Sequence, residues 1–569
     1  SVYPNECRLK NLNYFLKINI DISFNIQNEE PIIINDFTLC EIPVLVLSKY
    51  CNLYDNINNK SDLEVKNQLY KNGECINELG GYFIISGKEK LIISQERLAY
   101  NKLYTHKDRD YILITEVKST KRDTFIPAKN TYIKLKQVKS KQKLSKQQDT
   151  GTTENITEEE NNDVFLDSSN NTGKKIKLNN INILVSFPGV SDIPLFIIFR
   201  ALGYESDKQI YDFILQDLLP INNNNDTNKT FDNNQQLNNP NFSNFNQNNN
   251  IYNNFSNYLE DSRINSLPIT GKLSAIDYIY NKLDSSLKLS NNANINDKRN
   301  KALNVLFSNF LPHQSNILSK SMYLGYMTFN LLKIYLGYDN ISNRDTYEYK
   351  QVETSGYLLS TLFREYFVKF KSNAFFKINQ KSDLQTHIIR QLYSNNNSQE
   401  IKSLFTINNK NNIITDGFLR AFKGRWGVRN VQKTLTLENM SETINRDAFQ
   451  FNKEGIVQDL LRISYLSTIT HLRRIQTPLD SNIKLAEPRK LNTTSWGYIC
   501  PVDTPDGANS GIIKNLAIGC SISQSDNKIY SIFIKLFSNL QYFISYIESS
   551  FIKPSLYIKN TKIFIDGIL

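Results

Sequence analysis

The chain has 569 residues, a formal net charge of +11 and a pI near 9.0, with 40% hydrophobic and 11% aromatic residues. That is too long for one domain and apolar enough for about three or four real cores; the basic balance fits a polyanion partner and fits a merely soluble basic protein equally well. The six cysteines include no CxxC pair, which argues against a zinc ribbon and for a reducing compartment, and apolar runs such as 193–202 are far too short to span a bilayer. No charged segment leads into an apolar stretch at the start, so no signal peptide is read. With no initiator Met and a strand-like run at the end, both termini are expected to be cut rather than native.

In chain order, Gly80–Gly87 reads as turn, strand and turn, and Lys88–Gln95 as a second strand. Residues 139–176 run from a Lys/Gln/Ser segment into an acidic patch, with neither helical nor strand periodicity. Asn182–Phe187 reads as a strand, and Ile193–Ala201 as a helix stopped by Gly203. Residues 221–258 are dominated by Asn; both polar tracts are expected to be surface insertions. Met322–Leu336 and Ser355–Phe370 carry helical apolar spacing. Gly455–Arg474 reads as a helix opening into the polar loop 477–482. Strands and helices alternate without a steady βαβ rhythm, so the fold class is α+β multidomain.

The segment Trp496–Gly507 (WGYICPVDTPDG), followed by Gly511–Leu516 (GIIKNL), is the most specific in the chain. Upstream lie Leu466–Arg474 (LSTITHLRR) and Arg489 within Pro488–Lys490. Earlier come Tyr3–Leu12 (YPNECRLKNL), Glu78–Lys90 (ELGGYFIISGKEK), Gln95–Arg97, Asp192–Pro194 with Phe199–Gly203 (FRALG), Phe310–His313 (FLPH), Asn343–Asp345 and Gly424–Gly427 (GRWG). In this order and spacing they resemble the second-largest, beta-type subunit of multisubunit DNA-directed RNA polymerases. The pattern is closer to the eukaryotic, archaeal and large-DNA-virus branch, because His471 and Trp496 stand where bacterial members typically carry Lys and Tyr. The likeness covers nearly the whole chain except the two polar tracts. It corresponds to the N-terminal half of that subunit.

The resemblance implies an architecture of protrusion, lobe and fork. Residues 1–100 and 353–424 would form the protrusion, 101–352 the lobe with insertions near 139–176 and 221–258, 425–520 the fork, and 521–569 the start of the external region. It implies template-directed RNA synthesis from ribonucleoside triphosphates by a complex. Partners would be the largest subunit, smaller assembly subunits, the DNA template and the RNA transcript, with no membrane. Location would be the nucleus in a eukaryote, or the host cytoplasm, virus factory or virion for a large DNA virus. The alternative is a non-catalytic nucleic-acid-binding or assembly protein derived from such a subunit.

RNA polymerisation is phosphoryl transfer governed by two metal ions. In the family Mg²⁺ is bound mainly by the largest subunit, and a zinc site belongs to the half not included here. No catalytic residue and no metal ligand are assigned in this chain; a Thr504-Pro505 turn separates Asp503 from Asp506. The nucleic-acid-binding candidates are Arg473, Arg474, His471, Arg489 and Gln458, and Asp506 falls near the nucleotide-addition site. Arginine suits bidentate phosphate contacts, which hold register without reading sequence. The structural alternative pairs one of Arg473 and Arg474 with a carboxylate such as Glu454 or Asp459. His471 contacts the RNA–DNA hybrid or hydrogen-bonds within the fork; both readings are open. Asp506 and Asp503 stand where the family keeps Glu, one methylene longer. Gln458 keeps a glutamine that contacts ansamycin drugs in bacterial members, but Leu461 and Gln476 replace an Asp and a Ser there, so drug resistance is expected. The basic residues from Lys118 to Lys143 line the downstream cleft or form a solvated face. His313, Trp426 and Trp496 are expected to be structural.

Overall fold

The computed structural model describes residues 2–24, 32–54, 61–121, 126–137, 181–215, 254–289, 293–380, 413–427, 455–479, 482, 485–523, 532–533 and 535–536. The tract 139–176, residues 425–454 beyond Gly427, and nearly all of the expected external segment lie outside them.

The chain opens with helix α1 (Pro4–Leu9), the antiparallel hairpin β1 (Phe15–Phe24) and β2 (Ile32–Pro43), and helix α2 (Asp62–Lys71). Three short strands follow: β3 (Phe83–Ile85), β4 (Lys88–Ile92) and β5 (Ser94–Leu98). The expected strand over 88–95 is therefore two strands, because β4 and β5 enter different sheets.

A second body begins at β6 (Leu103–His106), β7 (Leu113–Ser119), β8 (Lys129–Gln137), β9 (Ile181–Phe187) and β10 (Val190–Pro194), which form an antiparallel sheet in the order β10-β9-β8-β7-β6. On β8 the odd positions Thr131, Ile133 and Leu135 are buried and their neighbours less so, the period-2 pattern of a sheet with one core face. Helix α3 (Leu195–Leu202) ends where Gly203 takes φ 109°, the left-handed stop expected from sequence. It is followed by α4 (Asp207–Leu215), α5 (254–264), α6 (Lys272–Lys282), α7 (Ile295–Asn309) and α8 (Ile317–Tyr335). Helices α3 and α8 lie on the sheet, and one core runs from Leu113 to Leu332. The Asn-rich tract is shorter than expected at its C-terminal end. Residues 254–258 are helical, and Phe255 is buried against Phe329 at a ring distance of 5.3 Å.

Strand β11 (Lys350–Glu353) returns the chain to β5, and helix α9 (Ser355–Gln380) rejoins the first body. Leu358, Leu362, Tyr366 and Phe370 recur every four residues along α9, making a buried stripe. That stripe shares a core with α10 (Ile413–Phe422), Trp426 and residues of β2, β3 and β4. Gly417 lets α10 approach closely, since a Cβ there would meet the Tyr366 ring at 2.5 Å.

The last stretch corrects the sequence reading. Gly455–Arg474 is not one helix: it comprises strand β12 (Val457–Asp459), a loop, helix α11 (Tyr465–Leu472) and strand β13 (Arg474–Gln476). β12 satisfies the otherwise open edge of β4, and Ile456 is buried beneath it. The Ser464 hydroxyl then caps the N–H of Ser467 and sets the true start of α11. β13 pairs parallel to β5 and antiparallel to β14 (Ile513–Asn515), completing the sheet β11-β5-β13-β14.

Candidate nucleic-acid interface

Helix α11 and the loops flanking β14 bring most of the sequence-predicted residues into one region. Thr468 and His471 occupy the inner face of α11. The His471 Nδ1 accepts from the Leu461 N–H at 3.2 Å, which leaves Nε2–H to donate to Gln458 Oε1 at 3.0 Å. The ring is thus the neutral Nε2–H tautomer. Burial, reinforced by the charge of Arg474, pushes its pKa down to about 4. Gln458 spends its amide on the Gly455 carbonyl at 3.1 Å. His471 and Gln458 therefore satisfy each other, and the imidazole, 1% exposed, is not presented to a ligand. Of the two readings left open for His471, this geometry favours the intramolecular one.

Arg473 and Arg474 are adjacent in sequence but serve different strands of the structure. Arg473 is the C-cap of α11, and its Nη2 donates to the carbonyls of Ala517 at 2.7 Å and Cys520 at 3.0 Å. It ties the loop after β14 to the helix end. The carboxylate pairing weighed from sequence is not made with Asp459, which pairs instead with Lys90; Glu454 lies outside the described residues. Arg474 opens β13 and has no hydrogen-bond or carboxylate partner among the described residues, and its Nε is sealed from solvent. An N–H sealed in this way is costly unless an acceptor arrives.

Arg489 ends a short 3-10 turn, and its Nη1 donates to the carbonyls of Ala508 at 2.6 Å and Ser510 at 3.0 Å. Gly511, at φ +70°, is required here: a Cβ would stand 2.3 Å from the Arg489 carbonyl. Thr504 braces the same turn, its hydroxyl accepting from the Gly511 N–H at 2.9 Å and donating to the Ile513 carbonyl at 3.0 Å. Asp503 and Asp506 are held on this turn with exposed side chains. Trp496 is a correction. Expected to be packed, it is 91% exposed, because Ser495 and Ile499 take the inward positions of that turn. Tyr498, Val502 and Ile518 are exposed as well. Of the positions expected to differ from drug-binding members, Leu461 is exposed and the Gln476 side-chain oxygen is sealed with no hydrogen-bond partner among the described residues.

Two charge clusters behind this face were not assigned roles from sequence. Glu96 is 2% exposed at its side chain and lies between Lys350 at 3.0 Å and Lys514 at 3.1 Å, with the Tyr347 hydroxyl donating at 3.3 Å. Burial raises its carboxyl, but the two ammonium groups outweigh burial and hold it below the ordinary glutamate range. Arg462, in the loop before α11, donates to both oxygens of Glu89, at 2.8 and 3.0 Å, and to Glu78 at 3.3 Å. Arg8 approaches Glu89 from the other side at 2.9 Å and forks onto Glu74. Both guanidiniums lie over the Tyr82 ring, at 5.8 and 5.2 Å. The Glu96 signal was partly present in sequence, since Glu96 and Lys514 both fall in family-like segments, but nothing there paired them.

Among the described residues no group of three or more His, Cys, Asp or Glu side chains is arranged to hold a metal ion. No helix among them is long and apolar enough to cross a membrane.

A family profile described as RNA polymerase beta subunit matches residues 1–403, and a second, RNA polymerase Rpb2 domain 3, matches residues 458–522. The chain is 26% identical over 587 residues to DNA-directed RNA polymerase II subunit 2 of Arabidopsis thaliana, covering 100% of this chain and 39% of that protein. It is 28% identical over 539 residues to DNA-directed RNA polymerase II subunit RPB2 of Encephalitozoon cuniculi, covering 92% of this chain and 36% of that protein. It is 25% identical over 538 residues to the archaeal DNA-directed RNA polymerase subunit Rpo2N of Methanocaldococcus jannaschii, covering 92% of this chain and 82% of that one. The chain thus spans little more than a third of its eukaryotic relatives and most of the archaeal one. Since the first profile alone takes in residues 1–403 of 569, the chain belongs to the RNA polymerase beta subunit family.

Proposed function

We propose that this chain serves as part of the second subunit of a DNA-directed RNA polymerase, forming one wall of the nucleic-acid cleft and the fork beside the RNA–DNA hybrid. The observation that carries this reading is Arg474: among the described residues its guanidinium has no hydrogen-bond or carboxylate partner, and it follows α11, whose His471 is already satisfied by Gln458 and the Leu461 N–H. A phosphate is the acceptor such a group lacks, and phosphate contacts suit an enzyme indifferent to sequence. Arg473 and Arg489 act in this reading mainly as organisers. Each fixes a loop through main-chain carbonyls, and Arg473 retains donors for a second partner.

The first body, 1–100 with 353–424, is then the protrusion, 101–352 the lobe and 425–520 the fork. Support comes from the shared core of α9, α10 and the N-terminal strands, and from the separate core of the five-stranded sheet. Asp506 lies on an exposed turn near the proposed nucleotide-addition side. Two Mg²⁺ ions would supply the electrostatic clamp on the attacking and leaving oxygens in the assembled enzyme. In this reading the metal carboxylates belong to the largest subunit, and a zinc site to the part of the relatives that this chain does not span. The nucleus is the proposed location, since relatives are named as RNA polymerase II subunits.

The test is photocrosslinking in the assembled enzyme, with p-benzoylphenylalanine replacing Arg474 or, as an internal control, His471. Crosslinks to RNA or template DNA from position 474 alone are expected. A nucleic-acid signal that is absent at 474 would overturn the assignment.

A further inference from the structure

Between the outer face of the five-stranded sheet and helix α9 lies a cleft of about 660 Å³. Its size falls within the range of about 300–1,000 Å³ typical of small-molecule sites, and such sites favour seams between separately cored bodies. One wall is the polar face of the sheet, where Lys118 is paired in register with Asn130 and Tyr132 follows on the same strand. The opposite wall is one face of α9, from Tyr357 to Leu362.

Lys118 is the unusual feature. It is largely buried, yet no carboxylate or acceptor among the described residues pairs with its ammonium group. Burial lowers its proton affinity; Glu116 and Glu353 oppose that shift, and Arg344 and Arg97 add to it. Asp108 and Glu365 also line the cleft, and two of its other charges are paired. Lys134 is paired with Asp192 at 2.8 Å, and Glu353 with Arg97 and the Tyr100 hydroxyl. A half-buried cation with no direct ion-pair partner among the described residues favours an incoming anion. Strands β7, β8 and β9 are all interior to the sheet, so the cleft offers no open backbone edge for a peptide strand. Recognition falls to side chains, which favours a compact ligand.

We propose that this cleft binds an amphipathic anion: a carboxylate, sulfonate or phosphate against Lys118, with a flat apolar body between Tyr132 and the Tyr357–Thr361 edge of α9. The ligand gains a charge-assisted contact at one end and apolar burial at the other.

The test is a fluorescence titration of the full chain with 8-anilinonaphthalene-1-sulfonate, run beside its uncharged relative N-phenyl-1-naphthylamine. Lys118→Gln is expected to weaken sulfonate binding roughly tenfold, the loss of one charge-assisted hydrogen bond, and to leave the neutral probe unchanged. Lys118→Arg should restore it. Thr361→Trp, which fills the cleft from α9, should remove both probes, whereas Phe367→Ser, in the separate apolar groove beside Ile18 and Ile42, should change neither. Thermal melting identifies any variant that fails to fold, and the Lys118 pair then decides alone. Sulfonate affinity within twofold of the parent in Lys118→Gln overturns the proposal, as does binding of both probes at parental affinity in a folded Thr361→Trp.

Discussion

Arg462→Ala gives a direct measure of how β12 and α11 are held to the N-terminal strands. The substitution deletes two charged hydrogen bonds to Glu89 and one to Glu78. Glu89 keeps Arg8, but the Glu78 side chain, only 4% exposed, loses its ion-pair partner. Breaking a buried pair costs about 3–5 kcal/mol, and the 42% exposure of Arg462 brings the expectation down to about 2–3 kcal/mol. A chain with several cores does not melt in one step, so the cost is best read locally. Native-state hydrogen exchange of the amides of β12 and α11 should lose protection by about 30- to 150-fold. Amides of α8, inside the other core, should be unchanged. Arg462→Lys should fall between, because it keeps the charge and loses the fork geometry. Protection in β12 and α11 within threefold of the parent in Arg462→Ala would refute the reasoning.

Other expectations follow from the same geometry. Glu96 has a depressed carboxyl, so its contribution to stability is present above the ordinary glutamate range and is lost as pH falls through its folded value; urea melts at pH 7 and pH 3.5 should show a smaller acid loss in Glu96→Gln than in the parent. His471 has its pKa lowered to about 4, so the neutral ring stabilises fully above about pH 6.5 and less as pH falls towards 4; a His471→Gln variant should flatten exchange protection of α11 across that window. Arg474→Ala should shorten elongation-complex lifetime in the assembled enzyme, more at low salt, because losing one phosphate contact also lowers the salt slope. Equal lifetimes across a salt series would count against a nucleic-acid role. Gly511→Ala should cost at least about 1–3 kcal/mol from the positive φ alone, before the clash with the Arg489 carbonyl, and should loosen the turn carrying Asp506.

What was legible in the sequence is what local chemistry dictates. Gly203 stopped its helix, the alternation along Asn182–Phe187 gave its strand, and apolar spacing found α8 and α9. Gly455–Arg474 misled because residues 457–459 carry helix-compatible side chains, while the open edge of β4, some 370 residues earlier in the chain, takes them as a strand. Trp496 misled because large aromatics are usually buried, whereas this one stands on the outside of a turn. The site residues were found by motif, but not what they do. His471 with Gln458, and Arg473 with the carbonyls of 517 and 520, are partnerships between loops that spacing cannot reveal. The ion clusters around Glu89 and Glu96 were hidden for the same reason: their members lie as far as 418 residues apart.

We propose that this chain shapes the nucleic-acid path of an RNA polymerase and leaves the metal chemistry to a partner. The most direct test is template-directed primer extension with Mg²⁺, run on a complex purified through a tag on this chain and on the isolated 569-residue chain. Extension by the complex and none by the chain alone is the predicted result. Extension by the rigorously purified chain, or a complex that binds scaffold DNA yet makes no RNA, would contradict it.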